Sequence, residues 1–177
     1  MPADDPVRKL ALAALDADAQ ARDLLDTSAA TVKRLAFSAL YRYASDPSFE
    51  LSPADAQKLA SDDAAQADLA RLIAANAFTY MPRQAAAASG AVSRRESGTA
   101  VLTLTPSQAE PGQVYLGVEI LDPEAVPPVH LFFRHADGPW RRLQLPPFSG
   151  TKAQMLLDAG GGTASALADP ETEVYLR

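Results

Sequence analysis

The hydrophobic period of this chain changes near Gly98, and that change limits the fold more than any other feature. Upstream, apolar residues recur every three or four positions; downstream, they alternate. A period near 3.6 turns one face of a helix toward a core, and a period of two does the same for a strand. The sequence therefore predicts an α+β chain in blocks. A helical N-terminal bundle covers 1–82, a linker covers 83–98, and a C-terminal antiparallel β-sandwich or small barrel covers 99–177.

The helical block has legible starts and stops. Between Thr31 and Ser45, Val32, Leu35, Ala36, Ala39, Leu40 and Tyr43 share one face, with Thr27 or Ser28 as cap and Asp46-Pro47 as the end. Phe37 and Tyr41 form a second apolar pair on another face. A helix apolar on two sides packs on both, one stripe on its neighbouring helices and the other on the strand-rich half. In "LSPADAQKLASDD", Ser52 is an N-cap, Pro53 takes the first helical position and Asp55 the capping-box position. Ser61, Asp62 and Asp63 restart a helix with Leu69, Leu72, Ile73, Asn76 and Tyr80 on one side, stopped by Pro82. The first segment, Pro6 to about Leu25, is Ala-rich, with a break expected near Asp16–Asp18.

"RQAAAASGAVSRRESG" (83–98) loses the apolar period and reads as a linker. After it come "TAVLTLTP", "QVYLGVEIL", "VHLFFRH", "WRRLQLP", "AQMLLDA" and "TEVYLR", six short strands separated by Pro/Gly turns. "GGGTASALADP" holds one short helical piece, capped at Thr163.

"HLFFRHADGPWRRLQ" (130–144) contains both histidines and the single tryptophan. Register decides what it presents. A two-residue loop at Asp137-Gly138 would mix apolar and charged groups on each side of the hairpin. An odd, three-residue loop with Gly138 near the left-handed position instead gathers Val129, Leu131, Phe133, Leu143 and Leu145 on one face. His130, Phe132, Arg134, Trp140, Arg142 and Gln144 then share the other. That face is either a solvated or helix-covered sheet surface, or a binding surface of aromatic and arginine anchors in which Arg134 or Arg142 stacks on Trp140.

Chemistry-bearing patterns are sparse. No cysteine is present, so disulfides, thiolate catalysis and cysteine metal sites are excluded. Net charge is −6; residues 1–88 carry 9 basic and 12 acidic groups and residues 89–177 carry 7 and 10, so both halves repel a phosphate backbone. The basic spot "VSRRES" is too short to overturn that. His130 and His135 have opposite strand parity and form no metal pair. His135 could meet Asp137 at the turn, but no nucleophile motif accompanies it, and Ser149 in "PFSG" stands without one. The three glycines before the short helix lack a phosphate-binding ending. No run of about 18 apolar residues occurs, and acids precede the first apolar residues, so no membrane span or signal peptide is expected.

These readings predict a non-catalytic, cytoplasmic protein-interaction module whose partner is another protein or a second copy of the chain. They assign no catalytic residue, metal or cofactor, and no nucleic-acid or membrane partner. The binding face is assigned to Trp140, Arg134, Arg142, Phe132 and His130. The alternative is a β-sandwich that holds a sugar or other small ligand against Trp140, Phe132 and Tyr115; a hydrolase comes third.

Overall fold

Ser52 shows how directly some local signals act. In the computed structural model, which describes residues 35–84, 90–136 and 138–177, its Oγ accepts the Asp55 N–H at 3.1 Å and donates to Asp55 Oδ2 at 2.9 Å. With Pro53 in the first turn, this starts helix α2 (Pro53–Ser61). Asp62 ends it and caps α3 (Asp63–Ala75) by accepting the Ala64 and Ala65 N–H groups. Before them lies α1 (Phe37–Ser45), shorter than predicted, with Ala36 as an N-cap that makes no side-chain bond. Segment 6–25, Thr27, Ser28 and Val32 fall outside the described residues, as does Asp137.

Two short pieces correct the sequence reading. Helix α3 stops at Ala75, because Asn76 leaves helical backbone (φ −128°, ψ 13°) and its Nδ2 bonds the Leu72 carbonyl at 3.1 Å. Tyr80 is therefore not on that helix but on strand β1 (Thr79–Met81). Arg94–Glu96, within the expected linker, is strand β2. Three residues are too few to display a period; β1 is a strand because distant β8 completes its hydrogen bonds, and β2 because the adjacent β3 does.

The remaining strands follow the alternation: β3 (Ala100–Pro106), β4 (Gln113–Ile120), β5 (His130–His135), β6 (Arg141–Gln144), β7 (Lys152–Asp158) and β8 (Thr172–Leu176). Helix α4 (Gly162–Ala168) connects β7 to β8, and its N-cap is Gly161 rather than Thr163. Among the described residues every pairing is antiparallel, in two four-stranded sheets of order β1-β8-β5-β6 and β2-β3-β4-β7. The hairpin has the odd register, with Leu131 opposite Leu143 and Phe132 opposite Arg142. Its left-handed residue is Ala136 (φ 43°), not Gly138, whose N–H bonds the His135 carbonyl at 2.8 Å.

Leu35–Arg177 form one compact unit with two apolar clusters. The first draws on both sheets, joining Leu131, Phe133, Val174 and Leu176 to Leu102, Leu104, Leu116 and Val118, with Leu167 of α4. The second lies on the other face of the first sheet. There Phe132 and Trp140 pack with Leu40, Ala44, Leu59, Leu69 and Ile73 of the helices. Each large side chain so buried contributes about 1.5–3 kcal/mol relative to exposure. Among the described residues no helix is long and apolar enough to cross a membrane.

Candidate functional site

Strand alternation sends His130, Phe132 and Arg134 of β5, Glu173 and Tyr175 of β8, and Arg142 of β6 away from the inter-sheet core. The hairpin face is thus assembled as its register requires, but it is not open. Phe132 is fully buried, Trp140 is 5% exposed and His130 is 3% exposed. Of the readings left open by the alternation, the helix-covered sheet surface is the one seen: apolar residues of α1–α3 lie over this face.

The contacts are specific. Tyr43 meets Phe132 edge-on at 6.0 Å, and Tyr175 meets Trp140 edge-on at 5.6 Å. The Arg134 guanidinium stacks 4.9 Å above the Trp140 ring. It also donates twice to Glu173 Oε1, at 2.9 and 2.6 Å, while the Tyr80 hydroxyl donates to Glu173 Oε2 at 3.4 Å. Gln66 ties the helices to the hairpin: its Oε1 accepts the Trp140 backbone N–H at 3.0 Å, and its Nε2 donates to the Leu59 carbonyl at 2.7 Å.

Arg142 fastens the end of α1. Its guanidinium donates to the carbonyls of Tyr43 (2.9 Å), Asp46 (3.4 Å) and Phe49 (2.6 Å), and lies 4.4 Å over the Tyr43 ring. Carbonyls at a helix C-terminus lack partners within the helix, so a cation there satisfies them and their dipole. His130 sits beside this arginine. Burial first, then Arg142 and Arg177, depress its imidazole from the ordinary 6.5 to about 4, against a weaker pull from the Pro47 carbonyl. His130 is therefore neutral at neutral pH.

All five expected binding residues thus meet on one face, and they act there as packing and tying groups. Tyr115 of the ligand-binding alternative belongs to β4 in the other sheet and does not join them. A cavity of about 280 Å³ reaches Trp140 from between the helices and the hairpin, with Tyr43, Glu50 and Leu59 among its walls.

Comparison with models of protein families, with curated proteins and with solved structures finds nothing that matches this chain. Its function must be read from the site chemistry alone.

Two features were missed in the sequence. Arg95, in the basic spot "VSRRES", is 1% exposed and donates to the carbonyls of Leu167, Thr172 and Asp169. His135 faces Asp169, with Nδ1 3.6 Å from Oδ2. Neither pairing has a local signal, since the partners are separated by a strand or more of chain. Large apolar side chains remain exposed among the described residues, including Phe37 (59% exposed) and Tyr41 (54%) on α1, and Leu121, Val126 (86%) and Val129 around the 121–129 loop.

Proposed function

We propose that this chain is a protein-interaction module, acting by binding rather than catalysis, and built on a β-sandwich with helices on one side. Its docking surface is the exposed stripe of α1 with the neighbouring 121–129 loop, in place of the covered hairpin face. The observation that carries the reading is the aromatic pair Phe37 and Tyr41. They stand one turn apart on a helix whose Leu40 and Ala44 are buried, and both remain more than half exposed. Aromatic side chains dominate interface hot spots, and placing two on water is otherwise unfavourable. The Val129 end of the loop is tied to the chain's last residue, its N–H donating to the Arg177 carbonyl, and Arg177 in turn feels the Tyr41 hydroxyl.

The test is the double substitution Phe37→Ser with Tyr41→Ser. Circular dichroism and thermal unfolding should match the parent, because neither side chain is in a core. Self-association by sedimentation, or capture of a specific host protein by the immobilised chain, should fall about tenfold or more. Equal capture by both proteins, with a parent that stays monomeric at high concentration, would refute this surface.

A further inference from the structure

A second cleft, separate from the docking surface, lies between α4 and the β5–β6 hairpin and has a volume of about 340 Å³. Its chemistry is bipolar. At one end, Arg141 reaches the first turn of α4 with a single long contact, Nη1 to the Gly162 carbonyl at 3.4 Å. A guanidinium has five N–H donors, so most of this exposed group is available. At the other end stands Asp169, the C-cap of α4. Its Oδ2 is 3.6 Å from His135 Nδ1, and its Oδ1 accepts the Glu171 N–H at 2.9 Å. The buried Arg95 guanidinium holds the Asp169 carbonyl, so this carboxylate projects from a fixed backbone.

Between the two charges the cleft is lined by Phe133 and Pro139, with Ser165 of α4 adding one hydroxyl. The rim is held under strain: Ala136 has a left-handed φ of 43°, its N–H bonds the Glu171 carbonyl at 3.1 Å and its carbonyl accepts from Arg83. Strained non-glycine residues that surrounding contacts hold in place are common at ligand clamps.

Charge spacing selects the ligand. From Gly162 to Asp169 the helix rises about 10 Å, and the side chains at its two ends shorten the gap between the charges. An α-amino acid, whose charges sit on one carbon, is too short to engage both. Two residues in extended form span about 7 Å. We infer that this cleft binds a zwitterionic dipeptide, with its carboxylate on Arg141, its ammonium on the Asp169–His135 pair, its peptide group near Ser165 and an apolar side chain against Phe133 and Pro139.

The probes are the free dipeptides Ala-Ala, Ala-Leu and Leu-Ala, titrated into the 15N-labelled full chain. At least one should shift the amides of Gly138, Gly162 and Ser165 saturably, with a Kd of about 1 mM or below. N-acetylation or C-amidation of that peptide should weaken it about tenfold or more, as should Arg141→Gln for the carboxylate end and Asp169→Asn for the ammonium end. Asn keeps an oxygen to accept the Glu171 N–H, and Arg141 is exposed, so both variants should keep the parent spectrum elsewhere. Three results would each overturn the assignment: no saturable shift by about 10 mM, equal affinity for the blocked peptides, or equal affinity for alanine alone.

Discussion

His130 carries an imidazole into a buried site beside two guanidinium groups, those of Arg142 and Arg177. Protonation there would add a third cation, so the folded protein takes up its proton near pH 4, whereas the unfolded chain takes it up near 6.5. Between those values the unfolded chain binds more protons, and stability must fall as pH falls. The loss should be small above pH 6.5 and reach about 3 kcal/mol near pH 4. In His130→Gln that slope should flatten, which denaturant midpoints measured against pH in parent and variant would show. An unchanged slope would mean that His130 is not the acid-sensitive group. Trp140, the single tryptophan, gives a second residue-scale expectation. It is packed by Tyr175, Arg134 and the helices, so Trp140→Ala should cost about 3–5 kcal/mol in chemical denaturation. Its emission in the parent should be blue-shifted and poorly quenched by acrylamide. A loss under about 1 kcal/mol, the range of surface substitutions, would contradict its placement in a core.

Among the elements, those with a repeating signal were legible and those without were not. Six strands of four to eight residues showed alternation, and Ser52-Pro53 announced α2. Strands β1 and β2 have three residues each, and β1 continued a helical spacing that Tyr80 happened to satisfy. The stop was present in the sequence, since Asn76 is a residue type that ends helices, but Pro82 was the stronger signal and drew the boundary too far. The candidate face was half legible for a related reason. Alternation fixes which side chains share a face, and it says nothing about what lies over them. Arg142 illustrates the gap: its role depends on three carbonyls on an element about ninety-five residues away in sequence, between Tyr43 and Phe49. A lysine's three N–H donors radiate from one nitrogen and cannot reach carbonyls that Arg142 meets from two separate nitrogens, Nη1 and Nη2. Arg142→Lys should therefore lower stability by about 2 kcal/mol, each lost bond contributing about 1 kcal/mol. Hydrogen exchange should localise the loss to the end of α1. Parent-like protection there would show that Arg142 does not fasten the helix.

At the scale of the molecule, the first sheet is apolar on both faces, and this couples the helices to the strands. Leu131, Phe133 and Val174 look toward the second sheet, while Phe132, Trp140 and Tyr175 look toward α1–α3. Neither cluster can lose its cover without exposing an apolar face of the first sheet, aliphatic side chains with Phe133 on one side and the rings of Phe132, Trp140 and Tyr175 on the other. The unit Leu35–Arg177 should for that reason unfold in one cooperative transition, reported alike by far-ultraviolet circular dichroism for the helices and by Trp140 fluorescence for the hairpin. Compared with a chain that begins at residue 35, one that begins at residue 77 retains every described strand and the whole inter-sheet cluster, so the pair isolates the contribution of α1–α3. It should keep β-type dichroism but bind hydrophobic dye, associate, and melt well below the longer chain, because the uncovered rings form the kind of apolar patch that monomers seldom expose. If the shortened chain were instead monomeric, free of dye and as stable as the parent, the helices would be an appendage to a self-sufficient β domain. Trp140 and Phe132 would then have to tolerate water, and the hairpin face would return to consideration as a binding surface.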